Sequence, residues 1–240
     1  IYKKVSDYPW SAAQNMNGWE YGTNLNYLKS ISKYWITKYN WKKFENKINS
    51  FKNYKTRVED INLHFIFEKS KNPNSKPLLL LHGWPGSITE FLDIIPRLAH
   101  PEKFGGKIED GFDIIVPSLP GFGFSSQIKK ALGPRKIGKI LNKFMVKNLG
   151  YKNYFVQGGD WGATIAGWIG LDSSKNCKGI HINCLPLRHP KGTKNIKEKK
   201  WEKKFNFDQI MQEGYRTQQA TKPQTLSYAM IDSPVGTAAW

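Results

Sequence analysis

Hydrophobic and polar positions follow two patterns along the chain. Short apolar runs without period-two alternation are typical of parallel strands covered on both faces, whereas apolar residues every three or four positions are typical of amphipathic helices. The predicted strands are Ile61–Glu68, Pro77–Leu81, Phe112–Pro117, Asn153–Gln157 and Gly179–Cys184. The predicted core helices are Ser87–His100, Pro134–Asn148 and Ala163–Leu171, and Ser87 with Glu90 predicts a capping box at the first of them. This alternation predicts an α/β fold with a mostly parallel sheet.

Two regions outside this core carry helical patterns of their own. Before the first strand, helices are predicted at Asn24–Thr37 and Trp41–Asn49 within a stretch rich in Lys, Asn and aromatic residues. After about Pro186 the core pattern stops, and helices are predicted at Trp201–Glu213 and Pro223–Ile231. With 240 residues, of which 39% are hydrophobic, the chain is long enough for a sizeable core and is not expected to be disordered.

The charge balance is strongly basic, with 37 Lys and Arg against 19 Asp and Glu, a formal net charge of +18. A basic balance can indicate nucleic acid or an anionic membrane as partner. The lysines are scattered, however, and no nucleic-acid-binding motif accompanies them. We interpret the densest run, Lys191–Lys204, as a solvated surface and expect no nucleic-acid partner.

The two cysteines and the absence of a long apolar stretch narrow the class of protein further, because they argue against a zinc site, a disulfide-rich fold and a membrane-spanning helix. Cys177 and Cys184 are seven residues apart, which matches neither a zinc spacing nor a disulfide framework, so buried free thiols are expected. No apolar stretch of 18 residues occurs, so no transmembrane helix is expected within this chain. Its first residue is Ile1 rather than Met, which leaves room for an upstream segment.

The segment Gly158-Gly159-Asp160-Trp161-Gly162 places an aspartate between a predicted strand and a predicted helix. A strand, a small-x-nucleophile-x-small turn and a helix form the nucleophile elbow, which exposes one side chain at the carboxyl end of a central strand. A carboxylate there attacks carbon and forms an ester that water must hydrolyse, a chemistry suited to epoxides and alkyl halides. A Gly-rich strand end with an exposed aspartate is the alternative interpretation of this segment alone.

A second segment, His82-Gly83-Trp84-Pro85-Gly86, directly follows the predicted strand Pro77–Leu81. In an α/β-hydrolase such a loop supplies one backbone donor of the oxyanion hole, and the residue after the nucleophile supplies the other. Those donors are predicted to be the amides of Trp84 and Trp161, while His82, Gly83 and Pro85 support the loop. The Trp84-Pro85 bond is a candidate for the cis form. Two motifs in this order argue against an ordinary turn.

The chain resembles the microsomal and juvenile-hormone type epoxide hydrolases of the α/β-hydrolase superfamily, over nearly its whole length. The segments that carry the resemblance are Trp19–Leu28, Tyr34-Trp35, Ile61–Phe67, His82–Pro85, Pro117–Ser125, Gln157–Gly162, Thr221–Thr225 and Asp232–Gly236. The resemblance implies an α/β-hydrolase fold in three parts. These are an N-terminal meander (1–58) that wraps the core, the first part of the core (59–186) and the beginning of a helical lid (187–240).

The same resemblance implies a reaction and the residues that perform it. Asp160 is the nucleophile, Trp84 and Trp161 line the oxyanion hole, and Tyr215 in Glu213-Gly-Tyr-Arg216 is a lid tyrosine that polarises the epoxide oxygen. The substrate is a small apolar epoxide, and no cofactor or metal is implied. Membrane association is implied only for a protein with an upstream anchor. For an animal-type member with such an anchor, the implied location is the endoplasmic reticulum membrane. For a bacterial member, the implied location is the cytoplasm.

Hydrolysis of the ester needs a histidine base and an acid that orients it, in the order nucleophile, acid, histidine. After Asp160 the histidines are His181, interpreted as a packed strand residue, and His189, interpreted as a surface loop residue. The candidate acids are Asp172, Asp208 and Asp232, none of which follows a later core strand. The expectation is therefore that this chain stops before the triad acid and base, as a fragment, a split gene product or a decayed copy that is inactive alone.

Two other functions remain open from the sequence. A haloalkane dehalogenase also uses an aspartate followed by tryptophan, with the Trp161 indole binding halide and no lid tyrosine required. A non-catalytic binding protein on a decayed hydrolase core would fit the +18 charge and the incomplete triad. Salt-dependent nucleic-acid binding would favour the second of these.

Overall fold

The computed structural model describes residues 1–14, 16, 18–185, 192 and 195–240. The strands are β1 (Asn53–Val58), β2 (Ile61–Glu68), β3 (Lys76–Leu81), β4 (Phe112–Pro117), β5 (Tyr154–Gly158) and β6 (Cys177–Ile182). The α-helices are α1 (Tyr2–Ser6), α2 (Leu25–Thr37), α3 (Trp41–Asn49), α4 (Ile95–Ala99), α5 (Pro134–Lys143), α6 (Trp161–Asp172), α7 (Ile196–Gln212), α8 (Gly214–Thr221), α9 (Pro223–Asp232) and α10 (Pro234–Ala239). The chain forms two compact units, residues 42–187 and residues 1–41 with 188–240. The predicted division into meander, core and lid stays a prediction.

The unit of residues 42–187 is built on one sheet with the strand order β1-β2-β4-β3-β5-β6. β3 pairs in parallel with both β4 and β5, and β5 pairs in parallel with β6. β1 and β2 form an antiparallel hairpin that joins the sheet through β2 and β4. The predicted α/β fold with a mostly parallel sheet is confirmed, and all five predicted strands are present with shifts of two residues or fewer.

Apolar side chains cover both faces of the central strands. On one face, residues of β3, β4 and β5 pack against helices α5 and α6, through the buried side chains Leu79, Leu81, Ile115, Val156, Ile137, Leu141, Ile165 and Ile169. On the other face they pack against α3 and α4, through Leu80, Ile114, Val116, Ile48 and Ile95. Because successive side chains of a strand point to opposite faces, two covered faces require continuous apolar runs.

Two elements differ from the prediction for local reasons. β1 was not predicted, because this edge strand is polar and largely exposed and so contains no apolar run. The predicted helix Ser87–His100 is instead a 3-10 turn at Ile88–Phe91 followed by α4. Pro96 has no N–H to donate to the preceding turn, so it starts a new helix. Ser87 accepts a hydrogen bond from the Thr89 amide, and its predicted capping box with Glu90 is wrong.

In the described residues β6 is the edge strand at the end of the sheet opposite β1, and its surroundings correct two predictions. A groove of about 830 Å³ lies beside it, lined mainly by apolar side chains, and Ile180 in this groove is 44% exposed. His181 lines the same groove and is exposed, so the prediction of a packed strand residue is wrong. Cys177 is buried as predicted, but Cys184 lies beyond the end of β6 and is exposed. An edge strand has a neighbouring strand on one side only, so its other side and the residues next to it are open to solvent.

The unit of residues 1–41 and 188–240 is helical. Val5 of α1, Leu28 of α2 and Val235 of α10 form its buried core, and Trp35 packs against them. Lys4 forms an ion pair with Asp232. The described lysines of the run Lys191–Lys204 lie on α7 and are exposed, as expected for a solvated surface. No helix in the described part of the chain is long and apolar enough to cross a membrane.

Asp113 on β4 is a buried carboxylate with a complete set of donors. Its oxygens accept hydrogen bonds from Lys69 Nζ at 2.6 Å, Ser75 Oγ at 2.7 Å, Tyr151 Oη at 2.8 Å and the Ser70 amide at 3.1 Å. Burial alone would raise the pKa of Asp113, but these hydrogen bonds outweigh it and hold the pKa below its usual value. The charged form is therefore stabilised by folding.

Asp113→Asn is expected to lower the free energy of unfolding by about 3 kcal/mol at pH 7, because the donors around this buried position lose their charged acceptor. A carboxyl with a lowered folded pKa contributes stability above its unfolded pKa and loses it as the pH falls through the folded pKa. The difference between wild type and variant in urea unfolding should therefore shrink below about pH 4. Asp110→Asn, at an exposed carboxylate of the same unit, is the control. A difference that is unchanged at acid pH would contradict this role of the charge.

Candidate active site

The turn between β5 and α6 has the geometry of a nucleophile elbow. Asp160 lies between the end of β5 and the start of α6 with φ 49° and ψ −124°, a conformation that costs a residue with a Cβ on the order of 1–3 kcal/mol. Its side chain makes no capping hydrogen bond to the helix and is exposed. The carboxylate therefore lies at the N-terminus of α6, where the helix dipole favours negative charge, without a hydrogen bond to its own helix.

Close backbone packing explains why the residue two positions after Asp160 is the glycine Gly162. A Cβ added to Gly162 would lie 2.1 Å from the carbonyl oxygen of Leu81 at the end of β3. That contact is with backbone, so no side-chain rotation could relieve it. The elbow can approach β3 only with glycine at this position.

Gly162→Ala is expected to lower the free energy of unfolding by about 3 kcal/mol, the upper end of the cost of overpacking. Gly167→Ala is the matched control, because it lies in the same helix and its added Cβ would meet nothing within 4 Å. Since alanine has the higher helix propensity, this control should gain up to about 1 kcal/mol. Urea unfolding of both variants measures the difference, and equal stabilities would contradict the close approach.

The loop that follows β3 lies beside the elbow because β3 and β5 are neighbouring parallel strands, with Leu81 opposite Gly158. The backbone N–H of Trp84 donates a hydrogen bond to Asp160 Oδ1 at 2.9 Å. The Trp84-Pro85 peptide bond is cis, as the sequence suggested. A Cβ added to Gly83 would lie 2.3 Å from Asp160 Oδ1, so glycine is needed for this approach. The structure thus brings the predicted loop and the predicted nucleophile into direct contact.

His82 is a structural part of this loop. Its ring is buried, with Nδ1 2.9 Å from the carbonyl oxygen of Gly83 and Nε2 3.0 Å from the backbone nitrogen of Leu119. The carbonyl can only accept and the amide can only donate, so Nδ1 carries the proton and Nε2 accepts. Burial lowers the pKa of His82, which keeps the ring neutral. The Leu119 amide was not predicted, although its segment Pro117–Ser125 was singled out as a motif.

Two predicted residues remain, Trp161 and Tyr215. Trp161 is the first residue of α6, where a backbone N–H has no partner within the helix, and its side chain is 46% exposed. Tyr215 lies on α8, in the other compact unit, and is 54% exposed. The oxyanion role of Trp161 and the acid role of Tyr215 stay predictions.

Asp172, one of the candidate acids, and His100, a histidine that precedes the elbow, each have a partner away from Asp160. Arg135 holds Asp172 through two hydrogen bonds of 2.7 and 2.8 Å, which lower the pKa of Asp172. His100 Nε2 lies 2.8 Å from Glu68 Oε1 at the end of β2, and because β2 runs antiparallel to β4 this pair is at the end of the sheet opposite the elbow. His189 lies outside the described residues.

Sequence comparison shows which families and proteins this chain resembles. Residues 1–91 match the family described as "Epoxide hydrolase N terminus", and residues 76–229 match "alpha/beta hydrolase fold". A "Putative epoxide hydrolase" of Stigmatella aurantiaca is 38% identical over 235 residues, which are 96% of this chain and 53% of that protein. "Epoxide hydrolase 1" of Oryctolagus cuniculus is 37% identical over 243 residues, covering 92% of this chain and 53% of that protein.

Structural comparison agrees. The crystal structure of juvenile hormone epoxide hydrolase from the silkworm Bombyx mori matches with a TM-score of 0.87 and 31% identity, over 99% of this chain and 60% of that one. The chain spans about half the length of the curated relatives it matches. The order of its strands, its nucleophile elbow and these matches agree on one conclusion. The chain belongs to the α/β-hydrolase fold family, and the relatives it resembles within that family are named as epoxide hydrolases.

Proposed function

We propose that the protein containing this chain opens small apolar epoxides to vicinal diols through a covalent ester on Asp160. The observation that carries the proposal is the hydrogen bond from the Trp84 amide to Asp160 Oδ1, in an elbow where the carboxylate makes no bond to its own helix. An aspartate in the nucleophile position favours alkylation at carbon. The names of the relatives support the epoxide as the electrophile.

In the first step, the free carboxylate oxygen of Asp160 attacks a ring carbon while the carbon–oxygen bond of the epoxide breaks. The leaving oxygen takes a proton, for which Tyr215 is the proposed donor, and becomes the hydroxyl of a hydroxyalkyl ester. The Trp84 amide holds the other carboxylate oxygen and so orients the attacking one. We assign to the same amide, together with that of Trp161, the stabilisation of negative charge on the ester carbonyl oxygen when water attacks.

In the second step, water attacks the ester carbonyl carbon, the diol leaves, and the Asp160 carboxylate is restored. A base must remove a proton from that water. Both ring nitrogens of His82 are engaged in the loop, so His82 is not available as this base. For this chain by itself we propose the first step, alkylation of Asp160.

The test is to incubate the purified chain with styrene oxide and to map the adduct by mass spectrometry. Ring opening retains every atom of the epoxide, so the protein mass should rise by the mass of one whole epoxide. The tryptic peptide of residues 153–175 contains two carboxylates, Asp160 and Asp172, and fragmentation should place the ester on Asp160. Modification of Asp172 in preference to Asp160, or no adduct at all, would overturn the proposal.

A 1-chloroalkane in the same experiment separates the proposal from a haloalkane dehalogenase. Attack on a chloroalkane expels chloride, so the adduct would carry the alkyl group without the halogen. We expect ester formation with the epoxide and none with the chloroalkane. Adduct formation with the chloroalkane alone would assign the elbow to dehalogenation.

A further inference from the structure

The hairpin of β1 and β2 presents basic side chains on one face at the edge of the sheet. Lys55 lies opposite His64, and Arg57 lies opposite Asn62. Directly opposite residues of an antiparallel pair point to the same face, so these four side chains share one face. The loop that follows β4 completes a cavity of about 310 Å³ on it, lined by Lys55, Arg57, Asn62, Phe124, Ser125 and Ser126 among others.

The two cations of this cavity are not neutralised by carboxylates of the described residues. The guanidinium of Arg57 donates through Nε to the carbonyl oxygen of Glu59 at 3.1 Å, which fixes it and leaves both terminal amino groups for a ligand. The carboxylate of Glu59 instead pairs with Lys136 at 3.0 Å and Lys143 at 3.7 Å. No Asp or Glu lines the cavity. It is therefore a polar recess with a charge of about +2.

Neutral donors and a fixed wall surround these cations. Ser126 Oγ accepts a hydrogen bond from the backbone N–H of Asn62 at 3.1 Å. The hydroxyl proton of Ser126 is therefore left for another acceptor. Ser125 is 8% exposed. Its hydroxyl accepts a hydrogen bond from the backbone N–H of His64 at 3.0 Å and donates one to the Ser118 carbonyl oxygen at 2.7 Å, which connects the loop to β2. Burial, and then the charge of Lys55, lower the pKa of His64 to about 4, so this ring is neutral at pH 7.

One wall of the cavity is apolar. Phe124 is 49% exposed, and its ring lies edge-on to His64 with 5.0 Å between the ring centroids. A recess with cations, a hydroxyl and an amide on one side and an aromatic ring on the other suits a ligand that has a charged end and an apolar part. The volume is larger than an inorganic anion alone would need.

We propose that this cavity binds a small organic oxyanion, a phosphate monoester or a carboxylate. Its charged end lies between Lys55 and Arg57 and accepts from Ser126, and its apolar part lies against Phe124. The cavity is formed by the hairpin and by the loop after β4, and uses none of the residues of the elbow. The inference does not depend on the proposed hydrolase activity.

The test is calorimetric titration of the purified chain with phenyl phosphate, benzoate and inorganic phosphate, at an ionic strength held constant with chloride. We expect one saturable site for phenyl phosphate or for benzoate, and the tighter of the two identifies the headgroup. The double variant Lys55→Met/Arg57→Met should bind about tenfold more weakly or worse, the cost of losing charged hydrogen bonds. Phe124→Ala should weaken the binding of phenyl phosphate and of benzoate but leave the binding of inorganic phosphate unchanged.

Lys175→Met, which removes an exposed lysine elsewhere on the same unit, is the matched control and should bind as the wild type does. Acetylation of wild-type lysines, followed by mass spectrometry, keeps the test independent of variant folding. Saturating phenyl phosphate or benzoate should protect Lys55 and not Lys175. Equal protection of both lysines, or no binding beyond that of chloride, would overturn the proposal.

Discussion

Asp160→Asn is expected to abolish formation of the epoxide adduct, with a loss in rate on the order of 10⁴-fold or more. The amide is nearly isosteric with the carboxylate and can still accept the Trp84 N–H through its oxygen, so the elbow should keep its geometry. It is a poor nucleophile, however, because it carries no negative charge. Time-resolved mass spectrometry of the chain with styrene oxide measures the rate directly.

Asp172→Asn is the matched control for this prediction, because it makes the same chemical change at the other carboxylate of the same tryptic peptide. Asp172 is held by Arg135 and is not part of the elbow, so its variant should form the adduct at the wild-type rate. Slow recovery of the Asp160→Asn variant after a lag is compatible with deamidation to aspartate. A wild-type rate from the first measurement would remove Asp160 from the mechanism.

Tyr215→Phe is expected to slow ester formation by on the order of a hundredfold, the usual contribution of a positioned general acid. The variant loses the phenol that donates to the leaving oxygen but keeps the ring. Tyr215 is exposed on α8, so removing its hydroxyl should change the free energy of unfolding by less than about 0.5 kcal/mol. The initial rate of adduct formation is again the measurement, and it does not depend on hydrolysis.

Tyr228→Phe makes the same change at another exposed tyrosine of the helical unit, on α9, and should leave alkylation unchanged. Tyr215→Phe with a wild-type rate would reduce Tyr215 to a packing residue. A loss at Tyr228 together with none at Tyr215 would transfer the acid role to α9. The two variants therefore decide which helix supplies the proton.

Much of the fold was predictable because the apolar runs reflect burial on both faces of the sheet. Ile114, Ile115 and Val116 are fully buried in succession, and only a strand covered on both sides requires this. β1 escaped prediction because a polar edge strand leaves no such run. The exposure of His181 and Cys184 was not predicted. The burial of side chains near β6 depends on which element packs beside the strand, and the local sequence does not encode that.

The α/β architecture and the two segments of the elbow and the loop could be predicted from the order of residues alone, because glycine, proline and apolar periodicity act locally on the backbone. Three contacts could be known only from the folded chain: the Trp84 amide meets Asp160, Leu119 fixes the tautomer of His82, and Lys55 and Arg57 share a cavity with Phe124. Each of these contacts joins residues 37 or more positions apart. Such contacts depend on which strands become neighbours, so they form only when the whole sheet is assembled.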